Sequence, residues 1–138
     1  MNQPIGIFCL DDNEGDLILL ENALIEQGID NYKMYNSIEE FYKDFEAQNI
    51  RVFVLDYTLP TQNGLEVAEY ILAKKPYARI IIHSGKEDAN EVIKALNMNI
   101  FKWVKKGQPN HLEICAQYVL NAIKWLRNVK ILLPDEIK

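Results

Sequence analysis

The chain has 138 residues, 49% hydrophobic and 25% charged, with a formal net charge of −5. That length suits one domain with a core of its own. The acidic balance excludes an extended basic nucleic-acid surface, since Lys102, Lys105 and Lys106 form only a short cationic cluster.

The N-terminal stretch Met1-Asn2-Gln3-Pro4 carries no basic-then-apolar leader. Ile5 to Leu10 is continuously apolar, as a strand buried on both faces should be, and it stops at Asp11-Asp12-Asn13. Leu17, Leu20 and Leu24 then mark a helix, with Gly28 as its C-terminal stop. A weak second strand is expected near Lys33 to Asn36, and Ser37 with Glu40 predicts a capping box for a helix carrying Ile38, Phe41 and Phe45. Val52 to Leu55 is the third strand, ended by Asp56. The loop Thr58 to Gly64 leads into a helix with Leu65, Ala68 and Leu72, stopped by Pro76. Arg79 to His83 reads as strand four, followed by Ser84-Gly85 and a helix near Asp88 to Leu96. Ile100 to Val104 is strand five, ending at Lys105-Lys106-Gly107. Pro109 fits the first turn of a last helix, whose core stripe is Leu112, Cys115, Val119, Ile123 and Leu126.

Strands alternating with helices predict an α/β fold, an open parallel sheet covered on both faces. The expected architecture is a flavodoxin-like three-layer α/β/α sandwich with five strands in the order 2-1-3-4-5 and five helices. It occupies residues 1–138 as a single domain, with a core of about 4–128. Ligands in such folds bind beyond the carboxyl ends of the strands. Asp11, Asp12, Asp56, Ser84 and Lys106 all fall at those ends.

In that strand order the first and third strands are neighbours, so Asp11, Asp12 and Asp56 crowd one crevice. Like charges so close repel unless a cation intervenes. A hard divalent ion, Mg²⁺, suits a site of few carboxylates plus phosphate oxygens. Lys106 and the Ser84 hydroxyl would bind a phosphoryl group from the other side, leaving Asp56 as the nucleophile.

The run Asp56-Tyr57-Thr58-Leu59-Pro60-Thr61-Gln62-Asn63-Gly64 resembles the Asp-x-x-Met/Leu-Pro-x-x-Asn/Asp-Gly signature of response-regulator receiver domains. Asp11-Asp12 resembles the family's acidic pair, Ser84-Gly85 its Ser/Thr with a small residue, and Trp103-x-x-Lys106 its aromatic-x-x-Lys. The resemblance implies a two-component signalling switch rather than an enzyme, catalysing only its own phosphoryl transfer and autodephosphorylation. A sensor histidine kinase or histidine phosphotransfer protein would donate to Asp56. Mg²⁺ would be held by Asp12, Asp56 and the Thr58 backbone carbonyl, with Asp11 acting through water. Ser84 and Trp103 would be the switch residues. A downstream partner or a second copy would meet the surface of the fourth helix, fifth strand and fifth helix. No nucleic acid and no membrane are expected as partners, and no apolar run reaches the roughly 18–20 residues that cross a bilayer. A cytoplasmic location is expected.

Departures from the pattern are local. Gly107 stands where the family often has a proline, and a non-proline cis bond costs ~2.5–4 kcal/mol, so a trans bond is expected. Adjacent strand residues point to opposite faces, which selects Lys106 over Lys105. Trp103 is bulkier than the usual Tyr or Phe, and a half-exposed packing Trp is the competing expectation. Thr58 and Lys86 occupy positions that modulate dephosphorylation in receivers.

His83 is expected to pack, pointing away from Ser84, and His111 to lie on the surface. Cys9 and Cys115, in apolar stretches, are expected to be buried thiols. Tyr118, Ala122, Trp125 and Val129 make a second stripe on the last helix, read as a partner or dimer surface or as a Trp half-covered by neighbours.

Rival readings are weaker. A degenerate receiver, acting without phosphorylation, would have lost Asp56 or Lys106. A haloacid-dehalogenase-type Mg²⁺-dependent phosphatase wants an Asp where Thr58 stands. A flavodoxin-type carrier needs a Ser/Thr/Gly-rich loop where Asp11-Asp12-Asn13-Glu14 stands, and a calcium loop from Asp11 would need Gly at Asp16. No output segment fits in the residues left over, so action by protein contact is expected, free-standing or as an excised module. Residues 129–138 are expected to extend the last helix, dock on the body or lead to a further domain.

Overall fold

The apolar runs pair edge to edge in a computed structural model, which describes residues 4–47 and 49–130, the last by its backbone alone. The strands are β1 (Gly6–Leu10), β2 (Tyr32–Tyr35), β3 (Ile50–Leu55), β4 (Arg79–Ser84) and β5 (Lys102–Lys105). They form one parallel sheet in the order β2-β1-β3-β4-β5. The helices are α1 (Glu14–Glu26), α2 (Ile38–Asp44), α3 (Gly64–Lys74), α4 (Ala89–Asn97) and α5 (His111–Lys130). This is the expected flavodoxin-like sandwich. Of the expected extension or tail at 129–138, residues 129 and 130 continue α5, and 131–138 lie outside the described residues.

Strand parity sorts the core into two layers. Phe8, Leu10, Phe53, Leu55, Ile80 and Ile82 face α2, α3 and α4. Ile7, Cys9, Val52, Val54, Ile81 and Val104 face α1 and α5. Cys9 and Cys115 are both free and buried in this second layer, and burial pushes the Cys115 thiol up to about 12. The same parity sends His83 and Lys106 toward α1 and α5, and Lys105 toward α4.

Helix ends explain the chain's turns. Gly28 takes φ +77 just beyond α1, and Ile29 N–H donates to Leu24 O at 3.0 Å, closing a Schellman motif. Only the serine half of the expected box at Ser37 forms, with Glu40 N–H donating to Ser37 Oγ at 3.4 Å. The Ser37 hydroxyl turns to Glu39 instead. A complete capping box occurs at Asn63 and Glu66, at the start of α3. Pro109 lies in the turn before α5 rather than in its first turn, because Asn110 adopts φ +60 between them. That left-handed residue interrupts the helix that the proline would otherwise open.

Candidate functional site

The site grows from sheet hydrogen bonding carried one residue past the strands. Asp11 N–H donates to Tyr35 O at 3.0 Å, Asp56 N–H to Leu10 O at 2.9 Å, and Lys106 N–H to Ser84 O at 2.8 Å. These bonds bring Asp11, Asp56 and Lys106 to one edge of the sheet. Asp12 follows from the next position, exposed. One oxygen from each of Asp11, Asp12 and Asp56 lies within 4.8 Å of the others.

The approach of α3 completes this edge. Gly64 N–H donates to Tyr57 O at 2.7 Å, and an antiparallel bridge joins Thr58 to Asn63. A Cβ on Gly64 would meet the Asp56 carbonyl oxygen and lie 3.0 Å from Tyr57 Cα. Glycine is thus what lets α3 begin against the Asp56 backbone. Asn63 caps the helix, with Glu66 N–H donating to its Oδ1 at 2.9 Å. The Thr58 backbone favours the ionised Asp56 carboxylate, though less than burial opposes it.

Lys106 balances the acids. Its Nζ lies 2.6 Å from Asp11 Oδ2, 2.8 Å from Asp16 Oδ2 and 3.6 Å from Asp56 Oδ1. Burial works against the ammonium, but the bonds to Asp11 and Asp16 outweigh it and hold the Lys106 pKa above its ordinary value. Burial and then repulsion from Asp11 push Asp56 up to about 6, with Lys106 pulling the other way. Lys105 sits outside this set, an exposed partner of Glu87 at 3.8 Å. Of the two adjacent lysines, Lys106 is the one beside Asp11 and Asp56.

Three carboxylates with residual repulsion, one of them open to solvent, fit a hard oxygen-seeking cation that keeps some of its water. One cation from the protein is already engaged, and the partial mismatch of charge remains in the raised Asp56.

The model of the response regulator receiver domain matches residues 7–116. The chain belongs to this family. Among similar solved structures is the BeF3-activated receiver domain of DrrB, at 25% identity and TM-score 0.76, covering 88% of this chain and 99% of that one. DrrB itself, an OmpR/PhoB homolog of Thermotoga maritima, matches at 26% identity and TM-score 0.76 over 89% of this chain and 54% of that chain. A CheY-like receiver domain protein of Methanospirillum hungatei shares the fold, with TM-score 0.80 at 16% identity, covering 91% of this chain and 98% of that one. No curated protein matches the chain.

In this receiver Ser84 closes β4 and is buried, and its Oγ accepts from Lys86 N–H at 3.2 Å. Among the described residues no hydrogen bond joins that hydroxyl to the carboxylates. Trp103 is half-buried, its ring 5.7 Å from that of Tyr57, and its Nε1–H donates to Lys86 O at 3.2 Å.

The Lys106–Gly107 bond is trans, since none of the described peptide bonds is cis, and Gly107 takes φ +90. A proline, locked near φ −65°, does not fit that conformation.

Two participants escaped sequence reasoning. Asp16, in the first turn of α1, is a direct partner of Lys106. His111 is not a free surface residue: its Nδ1 lies 2.9 Å from His83 Nε2 and the rings stack. Burial first, then Lys106 and His111, depress His83 to about 3, so it is neutral.

The second stripe of α5 is partly covered. Arg79 lies between rings, 4.1 Å from Trp125 and 4.6 Å from Phe101, and Ala122 is buried. The large apolar side chains that do reach solvent include Ile93 and Leu96 on α4 and Ile18, Leu19 and Ile25 on α1. No described helix is long and apolar enough to cross a membrane.

Proposed function

We propose that this receiver takes a phosphoryl group on Asp56, with Mg²⁺ held by Asp12, Asp56 and the Thr58 carbonyl and by Asp11 through water. The observation that carries the reading is the convergence of three carboxylates within 4.8 Å, with Lys106 Nζ 3.6 Å from Asp56 Oδ1. An Asp56 carboxyl near pKa 6 is ionised at neutral pH, so an oxygen lone pair is available to attack phosphorus. The donor is the phosphohistidine of a sensor kinase or phosphotransfer protein. As the new O–P bond forms, the P–N bond breaks and the imidazole leaves with its electron pair. Bound Mg²⁺ would offset charge on the phosphoryl oxygens. The Lys106 ammonium would offset it from the other side, and the Ser84 hydroxyl would turn toward them.

The output we propose runs through Trp103, whose indole holds the Lys86 carbonyl between Ser84 and α4. A change at Ser84 would reach α4, and the exposed Ile93 and Leu96 supply a surface for a downstream protein or a second copy at α4–β5–α5. Residues 4–128 would constitute one receiver module, working in the cytoplasm.

Beryllium fluoride makes a tetrahedral adduct on a carboxylate oxygen, and the DrrB relative is described in a BeF3-activated form. Amide spectra with Mg²⁺ and beryllium fluoride should shift residues 56–58, 84–86 and 103–106 together. An Asp56→Asn protein should show none of those shifts. A wild type that binds Mg²⁺ but ignores beryllium fluoride would point to a phosphorylation-independent interaction module instead.

A further inference from the structure

Asp16 lies outside the three-carboxylate group, yet it holds Lys106 almost as closely as Asp11 does, at 2.8 Å against 2.6 Å. The ammonium has three hydrogens. Asp11 and Asp16 take two, and the Asp56 carboxylate stands 3.6 Å away. A divalent cation in the crevice draws on Asp11 and Asp56, the same oxygens that Lys106 now neutralises. It also repels the ammonium. Asp16, reached from the α1 side and backed by the Asn13 cap through its own N–H at 2.9 Å, is the anchor that the cation leaves in place.

We propose that Asp16 is a positioning residue that holds the Lys106 ammonium on the α1 side while a divalent cation engages Asp11 and Asp56. This rests on the phosphoryl-acceptor reading and adds a residue to it. Without Asp16 the ammonium settles on Asp11 and Asp56 and competes with the cation.

The test is a double-mutant cycle on Mg²⁺ affinity with wild type, Asp16→Asn, Lys106→Met and the double variant. Amide shifts of Asn13, Asp56 and Thr58 follow the titration, and the same spectra report whether each protein is folded. Asp16→Asn should weaken Mg²⁺ binding about fivefold when Lys106 is present. It should change binding by less than about twofold when Lys106 is absent. Equal affinity in wild type and Asp16→Asn overturns the proposal. So does an equal loss in both backgrounds, which would make Asp16 a distant charge acting on the metal itself. A wild type that binds no Mg²⁺ would overturn the phosphoryl-acceptor reading together with this one, whereas an additive cycle in a Mg²⁺-binding protein overturns this one alone.

Discussion

Asp56→Asn should make the metal-free protein more stable at neutral pH. The Asp56 side chain is buried beside Asp11, and its carboxyl is raised from 3.8 to about 6 by burial and then by that neighbour. A folded-state pKa above the unfolded one means that the folded chain binds this proton more tightly. Ionisation therefore costs stability: the penalty is absent below about pH 4, grows as pH rises, and is complete above about pH 6. Each tenfold change in proton affinity is ~1.4 kcal/mol, so the rise to about 6 caps the penalty at ~3 kcal/mol. Lys106 and Asp11 readjust around an amide, so a gain of ~1–3 kcal/mol is expected in urea unfolding with a chelator present. Asparagine keeps the shape and removes the charge. The gain should shrink as pH falls from about 6 to about 4, and Mg²⁺ should stabilise wild type and erase much of it. An Asp56→Asn protein that is less stable than wild type at neutral pH without metal would refute the electrostatic account of the crevice.

His83 should act in the opposite sense. Its depressed folded pKa of about 3 means that stability is present above about pH 6.5 and is lost as pH falls below it, by up to ~3 kcal/mol near pH 4. Comparing Asp56→Asn with Asp56→Asn/His83→Asn isolates that slope in urea midpoints, and the double variant should be the flatter. Gly64→Ala should cost ~1–3 kcal/mol, because the new methyl meets the Asp56 and Tyr57 backbone rather than a side chain that could yield. The same variant should weaken Mg²⁺ binding in an amide-shift titration, and unchanged stability would mean that α3 has room to retreat.

Much of this site could be read in one dimension because sheet geometry is nearly local. An apolar run that stops at a polar residue places that residue at the carboxyl edge, and Asp11, Asp12, Asp56 and Lys106 do lie together there. Parity also separated Lys106 from Lys105. What could not be read depends on how helices lie over the sheet. Asp16 meets Lys106 because the long lysine side chain reaches the first turn of α1, although β5 lies three strand positions from β1 in the order β2-β1-β3-β4-β5. His111 meets His83 only because Asn110 turns left-handed and sets where α5 begins. Pro109 misled for the same reason: a proline signals that a helix is near, while the φ of the next residue decides where it starts. The Arg79 stack on Trp125 joins the start of β4 to the far end of α5, a contact that no sequence spacing announces.

The most direct test of the central claim is intact mass after incubation with acetyl phosphate, with and without Mg²⁺, for wild type and Asp56→Asn. The account predicts a single phosphoryl adduct on wild type that requires Mg²⁺ and is absent from Asp56→Asn. A folded, Mg²⁺-binding wild type that gains no adduct, or an Asp56→Asn protein that gains the same one, would contradict it.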